Sequence, residues 1–104
     1  MLTYKDLLNE FRQNPRDVIT IHMNGSSGKW FYVFEDNDFL YVDCAISKKP
    51  SSLISTPRKL NENEFDDILS LYQLRKKGAA VSAEASRITN NQVYWYGIFS
   101  ELGL

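Results

Sequence analysis

The sequence predicts an α+β fold, in which an N-terminal helix, a three-stranded antiparallel meander and C-terminal helices come together, with the helices packed on one sheet face. Strand-like segments joined by two short links occupy residues 18–46, and such links join neighbouring antiparallel strands. Apolar residues at helical spacing come before and after these segments. A length of 104 residues is typical of one domain, so residues 1–104 are expected to form a single small globular domain.

Residues 4–14 have the pattern of an amphipathic helix. Thr3 is suited to the N-cap, and Asp6 lies where a carboxylate is favoured by the helix dipole. Asn14-Pro15 ends the helix, because proline disfavours a helical conformation of the residue before it. The apolar residues of this helix are Tyr4, Leu7, Leu8 and Phe11.

Three segments, residues 18–23, 29–35 and 39–46, are rich in β-branched and aromatic residues that favour strands. The glycine-rich residues 24–28 predict the first turn, and residues 36–38 predict the second. Each strand should therefore pair with the next one along the chain.

Alternation along these strands separates two sheet faces. Cys44 falls on the more apolar side of the third strand and is expected to be a buried thiol. Tyr32 and Tyr41 fall on an aromatic second face, which suits contact with another molecule.

A long polar loop is predicted over residues 47–60, and loops of this length are candidate binding segments. Its basic residues form a candidate anion-binding group: Lys48, Lys49, Arg58 and Lys59. Solvated lysines without a ligand are the competing interpretation. Asn61 then caps a second helix that ends before Gly78, with acidic residues at its start and basic ones at its end.

The C-terminal segment has two competing predictions. Thr89 and Gln92 match a capping box, which favours a short helix over residues 83–88 and a final helix from Asn90 to about Leu102. Alternatively, residues 87–99 form an additional β-hairpin, because their aromatic and β-branched residues favour strands and Gly97 disfavours a helix.

No nucleophile, metal cluster or nucleotide-binding loop can be assembled from the sequence. The segment Gly25-Ser-Ser-Gly28-Lys29 lacks the spacing of a phosphate-binding loop. With one cysteine and one histidine, the chain has no Cys/His zinc set. We therefore expect a non-enzymatic protein with no cofactor and no metal. The competing hypothesis is a small-ligand binding protein or weak hydrolase that uses His22 and Asp43 as a His–carboxylate pair.

Charge and hydropathy limit the partners. The net charge is -1, without the basic excess that duplex nucleic acid binding usually requires. Apolar runs are far shorter than the ~20 residues that cross a bilayer, and the N-terminus lacks a signal-peptide pattern. We therefore expect a cytoplasmic protein that does not bind a membrane.

The leading functional prediction is a protein–protein interaction module, of the inhibitor, immunity or adaptor kind, that binds another protein or itself as a homodimer. Aromatic residues are enriched at interface hot spots, and the predicted contact residues are Tyr94, Trp95, Tyr96, Phe99, Tyr32 and Tyr41. For the C-terminal group, burial in the chain's own core is the competing interpretation. A second functional hypothesis is a helix-turn-helix-like DNA-binding regulator that uses residues 82–102, although no basic residue follows Arg87.

Overall fold

The computed structural model describes residues 1–21 and 28–104. In these parts of the chain, four helices lie against one four-stranded antiparallel sheet whose strands follow chain order. The elements are α1 (Tyr4–Gln13), β1 (Arg16–Ile19), β2 (Trp30–Asp36), β3 (Phe39–Cys44), β4 (Arg58–Leu60), α2 (Glu62–Lys76), α3 (Ser82–Ile88) and α4 (Gln92–Glu101). The α+β class, with the helices packed on the sheet, is confirmed, and the sheet has one more strand than predicted.

Helix α1 begins and ends close to the predicted residues because its signals are local. The N–H of Asp6 donates to the Thr3 hydroxyl at 3.2 Å, and the N–H of Thr3 donates to the Asp6 carboxylate at 2.9 Å. This reciprocal capping box satisfies two N–H groups that the first helical turn leaves without partners. The predicted apolar face of α1 is buried against the sheet.

The β2–β3 hairpin is also where the sequence places it. Its two turn residues, Asn37 and Asp38, have φ angles of 52° and 65°. Positive φ at both central residues is typical of the type I′ turn, whose twist matches that of the flanking strands. The pairing brings Phe34 opposite Tyr41 and Tyr32 opposite Asp43.

The predicted loop over residues 47–60 needs correction at its end. Residues 58–60 form β4, which pairs with β3 and buries Leu60 completely opposite Leu40. Earlier in the same segment, Ser51 forms a parallel bridge with Trp30. A segment of three residues after a proline is too short to show the alternation of apolar and polar residues that predicts a strand. Only the pairing with β3 identifies β4 as a strand.

The Tyr4 hydroxyl links α1 to the last pair of β3 and β4. It donates to the carbonyl of Leu60 at 2.6 Å and accepts from the N–H of Leu40 at 2.9 Å. Both hydrogen bonds are buried, where an unpaired backbone group is costly. Burial raises the pKa of Tyr4, partly offset by the Leu40 N–H, so the phenol is a neutral donor at physiological pH.

Strand β1 starts and ends earlier than predicted, because Arg16 and Asp17 already pair with β2. Of the predicted strand over residues 18–23, Val18 and Ile19 lie within β1. The predicted turn over residues 24–28, like His22 and Met23, lies largely outside the described residues. Gly28 is described, and its backbone is close to that of Thr20.

The C-terminal segment is helical, so the β-hairpin alternative over residues 87–99 is wrong. The expected capping box does not form either, because the Thr89 hydroxyl accepts from the N–H of Asn91 and α4 begins at Gln92. The N-caps of α2 and α4, Asn61 and Asn91, make no side-chain capping hydrogen bond. Gly78 follows α2 with a φ of +96°, as predicted for a glycine at the helix end.

The core between the sheet and the helices is rich in aromatic rings. Trp95 is fully buried, and its ring centroid lies 6.0 Å from that of Phe65 and 5.9 Å from that of Phe99. Tyr4 joins the same group from α1, at 6.3 Å from Trp95. The indole N–H of Trp95 donates to the Glu64 carboxylate at 3.2 Å, so the one polar atom of this large side chain is satisfied.

Candidate functional site

The predicted contact residues divide into two groups in the structure. Those on α4 are buried in the chain's own core, with exposed fractions between 0% and 8%: Tyr94, Trp95, Tyr96 and Phe99. Their rings pack against α2 and the sheet. A partner cannot reach them without displacing α4, so they are structural residues in the folded chain.

The other two predicted residues, Tyr32 and Tyr41, lie on the sheet face that the helices leave open. Phe31 and Val33 of β2 are completely buried under the helices, so Tyr32 and Phe34 project to the opposite side. Tyr32 and Phe34 stack at 5.7 Å, and Phe34 and Tyr41 stack at 5.5 Å. We call these three side chains the aromatic row.

Each end of this open face has a lysine over an aromatic ring. At one end, the Lys48 ammonium lies 5.3 Å from the ring centroid of Trp30. At the other, the Lys59 ammonium lies 3.9 Å from the ring centroid of Phe39. Neither lysine forms an ion pair with any described residue, so both charges can bind an external carboxylate.

The chain between β3 and Ser51 is held beside the aromatic row by Asp17. The Asp17 carboxylate accepts the backbone N–H groups of Ile46, Ser47 and Lys48 at 2.9, 2.8 and 2.9 Å. The Ser47 hydroxyl donates to it as well, at 3.2 Å. These bonds fix the backbone of Lys48 and leave the Ile46 side chain 71% exposed.

The same bonds determine the acidity of Asp17. Burial acts to raise the pKa of this carboxyl, but the three backbone N–H groups and the Ser47 hydroxyl outweigh burial and lower the pKa below its ordinary value. The ionised form therefore stabilises the fold above the unfolded pKa of about 3.9. That stabilisation is lost as the pH falls towards the lower folded pKa.

We expect the Asp17→Asn variant to lose about 1–3 kcal/mol of unfolding free energy at neutral pH, because a charged acceptor of several N–H groups is removed. Urea titrations between neutral and acidic pH should show a smaller decline with acidification than in the wild type. Asp43→Asn is the matched control on the same face, since among the described residues the Asp43 carboxylate accepts only the N–H of the following residue, Cys44. Equal pH dependence in wild type and Asp17→Asn would contradict the assigned role.

The four basic residues of the predicted anion-binding group do not converge. Arg58 lies at 5.8 Å from the Tyr94 ring and donates to the Asn91 side chain at 3.2 Å. Lys48 and Lys59 lie at the two ends of the open face, and Lys49 is exposed. The amides of residues 46–48 are occupied by Asp17, so this segment offers an anion no shared pocket.

Two further sequence predictions concern Cys44 and the pair of His22 and Asp43. Cys44 is exposed rather than buried, because it is the last residue of β3, where alternation along the strand no longer determines burial. Asp43 lies on the open face beside Tyr32, while His22 is outside the described residues. Within residues 1–21 and 28–104, no cluster of His, Cys, Asp or Glu has a composition and spacing that could hold a metal ion.

Helices α3 and α4 have the lengths of a helix-turn-helix, but their packing is unfavourable for DNA. A recognition helix must present one face to a groove. Tyr94 through Phe99 are all buried, and the exposed residues of α4 are Ser100 and Glu101 at its C-terminal end. The face that α4 would need to present to a DNA groove is therefore packed into the protein core.

Sequence reasoning missed Phe34 and Asp17 as parts of the candidate site. Phe34 lies two residues after Tyr32 on the same strand, and this spacing predicts that both side chains share a sheet face. Phe34 is the central ring of the aromatic row. Nothing in the sequence indicates that Asp17 binds a segment about thirty residues away, because that contact depends on the sheet register.

The fold and this face together define a small α+β protein with one sheet face packed by helices and one aromatic face left open. Comparisons with protein-family models, curated proteins and solved structures found no match to this chain. None of the helices in the described parts of the chain combines the length and apolar character needed to span a bilayer.

Proposed function

We propose that this protein is a protein–protein interaction module that binds its partner on the open sheet face. The observation that carries the proposal is the aromatic row between two lysines. Rigid aromatic side chains give large contact area at low entropic cost, and they are enriched at interface hot spots. The half-buried rings of Tyr32, Phe34 and Tyr41 are already fixed by stacking, so binding need not order them.

The charges on the face specify the chemistry of the partner. Lys48 and Lys59 favour carboxylates towards the two ends, while the rings between them favour an apolar centre. Asp43, beside Tyr32, favours a hydrogen-bond donor near the middle. We therefore infer a partner segment in which acidic residues flank apolar ones, since complementary charges fix orientation and accelerate encounter.

A displayed library of random peptides tests this function. Peptides selected on the wild type should combine acidic flanks with an apolar centre. Their affinity should fall by about tenfold or more in Tyr41→Ser, which removes one ring of the aromatic row, and in Lys59→Glu, which reverses an end charge. The matched control is Leu74→Ser, because Leu74 is an exposed apolar residue of α2, outside the sheet. Each variant is first checked for wild-type thermal unfolding.

Two outcomes would overturn the proposal, and a third would change the identity of the partner. Selected peptides that bind Tyr41→Ser as tightly as the wild type would locate the contact elsewhere. Failure to select any peptide above background would remove the support for an acidic–apolar partner segment. Light scattering that shows a dimer, disrupted by Tyr41→Ser, would assign the face to a second copy of the chain instead.

A further inference from the structure

A second candidate site lies away from the sheet's open face, among α2, α3 and α4. It is a cavity of about 180 Å³. Its walls combine aliphatic side chains with polar groups from Arg75, Ser82, Gln92 and Tyr96. The lining residues are Ile21, Arg75, Val81, Ser82, Ala85, Gln92, Val93 and Tyr96.

Two buried polar atoms that belong to the cavity's lining residues have no hydrogen-bond partner among the described residues. They are the Oε1 atom of Gln92 and the hydroxyl of Tyr96. Tyr96 is only 4% exposed, so bulk solvent does not reach its hydroxyl. Unsatisfied buried polar atoms are uncommon in folded proteins, and each one calls for an explanation. A bound ligand that satisfies both atoms is such an explanation.

Arg75 supplies a positive charge to the lining of the same cavity, beside the Tyr96 ring. Its guanidinium lies 5.2 Å from the ring centroid of Tyr96, and it forms no ion pair with a described residue. Guanidinium groups bind carboxylates through paired, charge-assisted hydrogen bonds. Burial raises the pKa of Tyr96, against a smaller opposite effect of Arg75. The phenol is therefore protonated at neutral pH and can donate to the same anion.

The remaining features limit the ligand's size and shape. The cavity volume corresponds to roughly six water molecules at their share of liquid volume, and it is smaller than the pockets that hold drug-sized ligands. The aliphatic side chains of Val81, Ala85 and Val93 suit a short hydrocarbon group. The Gln92 oxygen is an acceptor, so the ligand must supply an N–H or O–H donor.

We propose that this cavity binds a small aliphatic carboxylic acid with an α-amino or α-hydroxyl group. The carboxylate pairs with Arg75 and accepts from the Tyr96 hydroxyl. The α-substituent donates to Gln92, and the aliphatic chain contacts the apolar wall. The site is separate from the open sheet face and does not depend on the proposed protein partner.

The test uses L-valine, L-leucine and 2-hydroxyisovalerate as probes, each added to the full chain up to about 10 mM, well above a millimolar Kd. Amide NMR signals of residues 75–96 should shift saturably with at least one probe, and thermal unfolding should move to higher temperature, because a ligand that binds only the folded state stabilises it. Isobutylamine, which has the apolar group without the carboxylate, should produce neither effect.

Three variants separate ligand binding from a structural role. Arg75→Gln should weaken probe binding by about tenfold or more, since it removes a charge-assisted contact. Lys76→Gln is the matched control, because Lys76 neighbours Arg75 in sequence but does not line the cavity. Tyr96→Phe should weaken binding while the free protein stays as stable as the wild type or becomes more stable, since an unpaired buried hydroxyl is removed.

Absence of saturable shifts with all three probes would overturn the proposal. So would probe affinities in Arg75→Gln equal to those of the wild type. A loss of stability in probe-free Tyr96→Phe would also contradict it, because the hydroxyl would then have a structural partner.

Discussion

The Trp95→Ala variant should lose about 3–5 kcal/mol of unfolding free energy, the range measured for truncation of buried aromatic residues. Trp95 is fully buried and packs with Phe65, Phe99 and Tyr4. Its removal leaves a cavity between α4, α2 and α1, and it also leaves Glu64 without its indole N–H donor. The loss is a large share of the 5–15 kcal/mol that typically stabilises a domain.

Equilibrium unfolding in urea, followed by far-ultraviolet circular dichroism, measures this change. Phe39→Ala is the matched control, because it truncates an aromatic ring that is 38% exposed on the open sheet face. We expect the control to lose less than half as much as Trp95→Ala. A loss below about 1 kcal/mol for Trp95→Ala, which is the average for all substitutions, would contradict the assignment of Trp95 to the core.

The Gly97→Ala variant should also destabilise the protein, by about 1–3 kcal/mol or more, as overpacked cores do. A Cβ atom on Gly97 would lie 2.5 Å from the carbonyl oxygen of Ile19 and 3.1 Å from the Phe31 ring. The nearest atom belongs to the backbone of β1 and cannot rotate away. Helix propensity alone gives the opposite sign, because alanine in a helix is favoured over glycine by about 1 kcal/mol.

The sign of the change therefore distinguishes packing from propensity. Ser100→Ala is the control on the same helix, because Ser100 is exposed and should change stability by less than about 0.5 kcal/mol. Thermal unfolding of the wild type and both variants in one buffer measures the sign of each stability change. A Gly97→Ala variant more stable than the wild type would show that α4 does not approach β1 as closely as the structure has it.

Gly97 also explains why the sequence signals for the C-terminal segment conflict. In isolation, a glycine among aromatic residues lowers helix propensity, which favours the hairpin alternative. In the fold, the missing side chain lets α4 approach the carbonyl of Ile19. The cost in local propensity is offset by close packing, a tertiary effect that no local pattern contains.

The candidate binding surface was predictable only in part. Strand alternation placed Tyr32 and Tyr41 on an open face, and the structure places them there. Aromatic density by itself suggested Tyr94 and Trp95 as contact residues, whereas these are buried. The two groups have similar composition, so composition cannot tell which of them the rest of the chain covers.

The two proposals concern different chemistry and separate surfaces. The open sheet face carries aromatic rings between two lysines, which suits a protein segment. The cavity beside Arg75 is small and contains unpaired buried polar atoms, which suits a small organic acid. Because they share no residue, variants at Tyr41 and Arg75 should affect only their own ligand. An effect of the small acid on peptide affinity would instead indicate coupling between the sites.

Elements whose signals are local can be predicted from the amino-acid sequence alone. Thr3 and Asp6 specify the start of α1 through their own hydrogen bonds, and residues 36–38 specify the β2–β3 turn. By contrast, the strand at residues 58–60, the exposure of Cys44 and the burial of the α4 rings follow from long-range packing. Strand pairing and burial depend on which distant residues pack against a segment, and a local pattern does not contain that information.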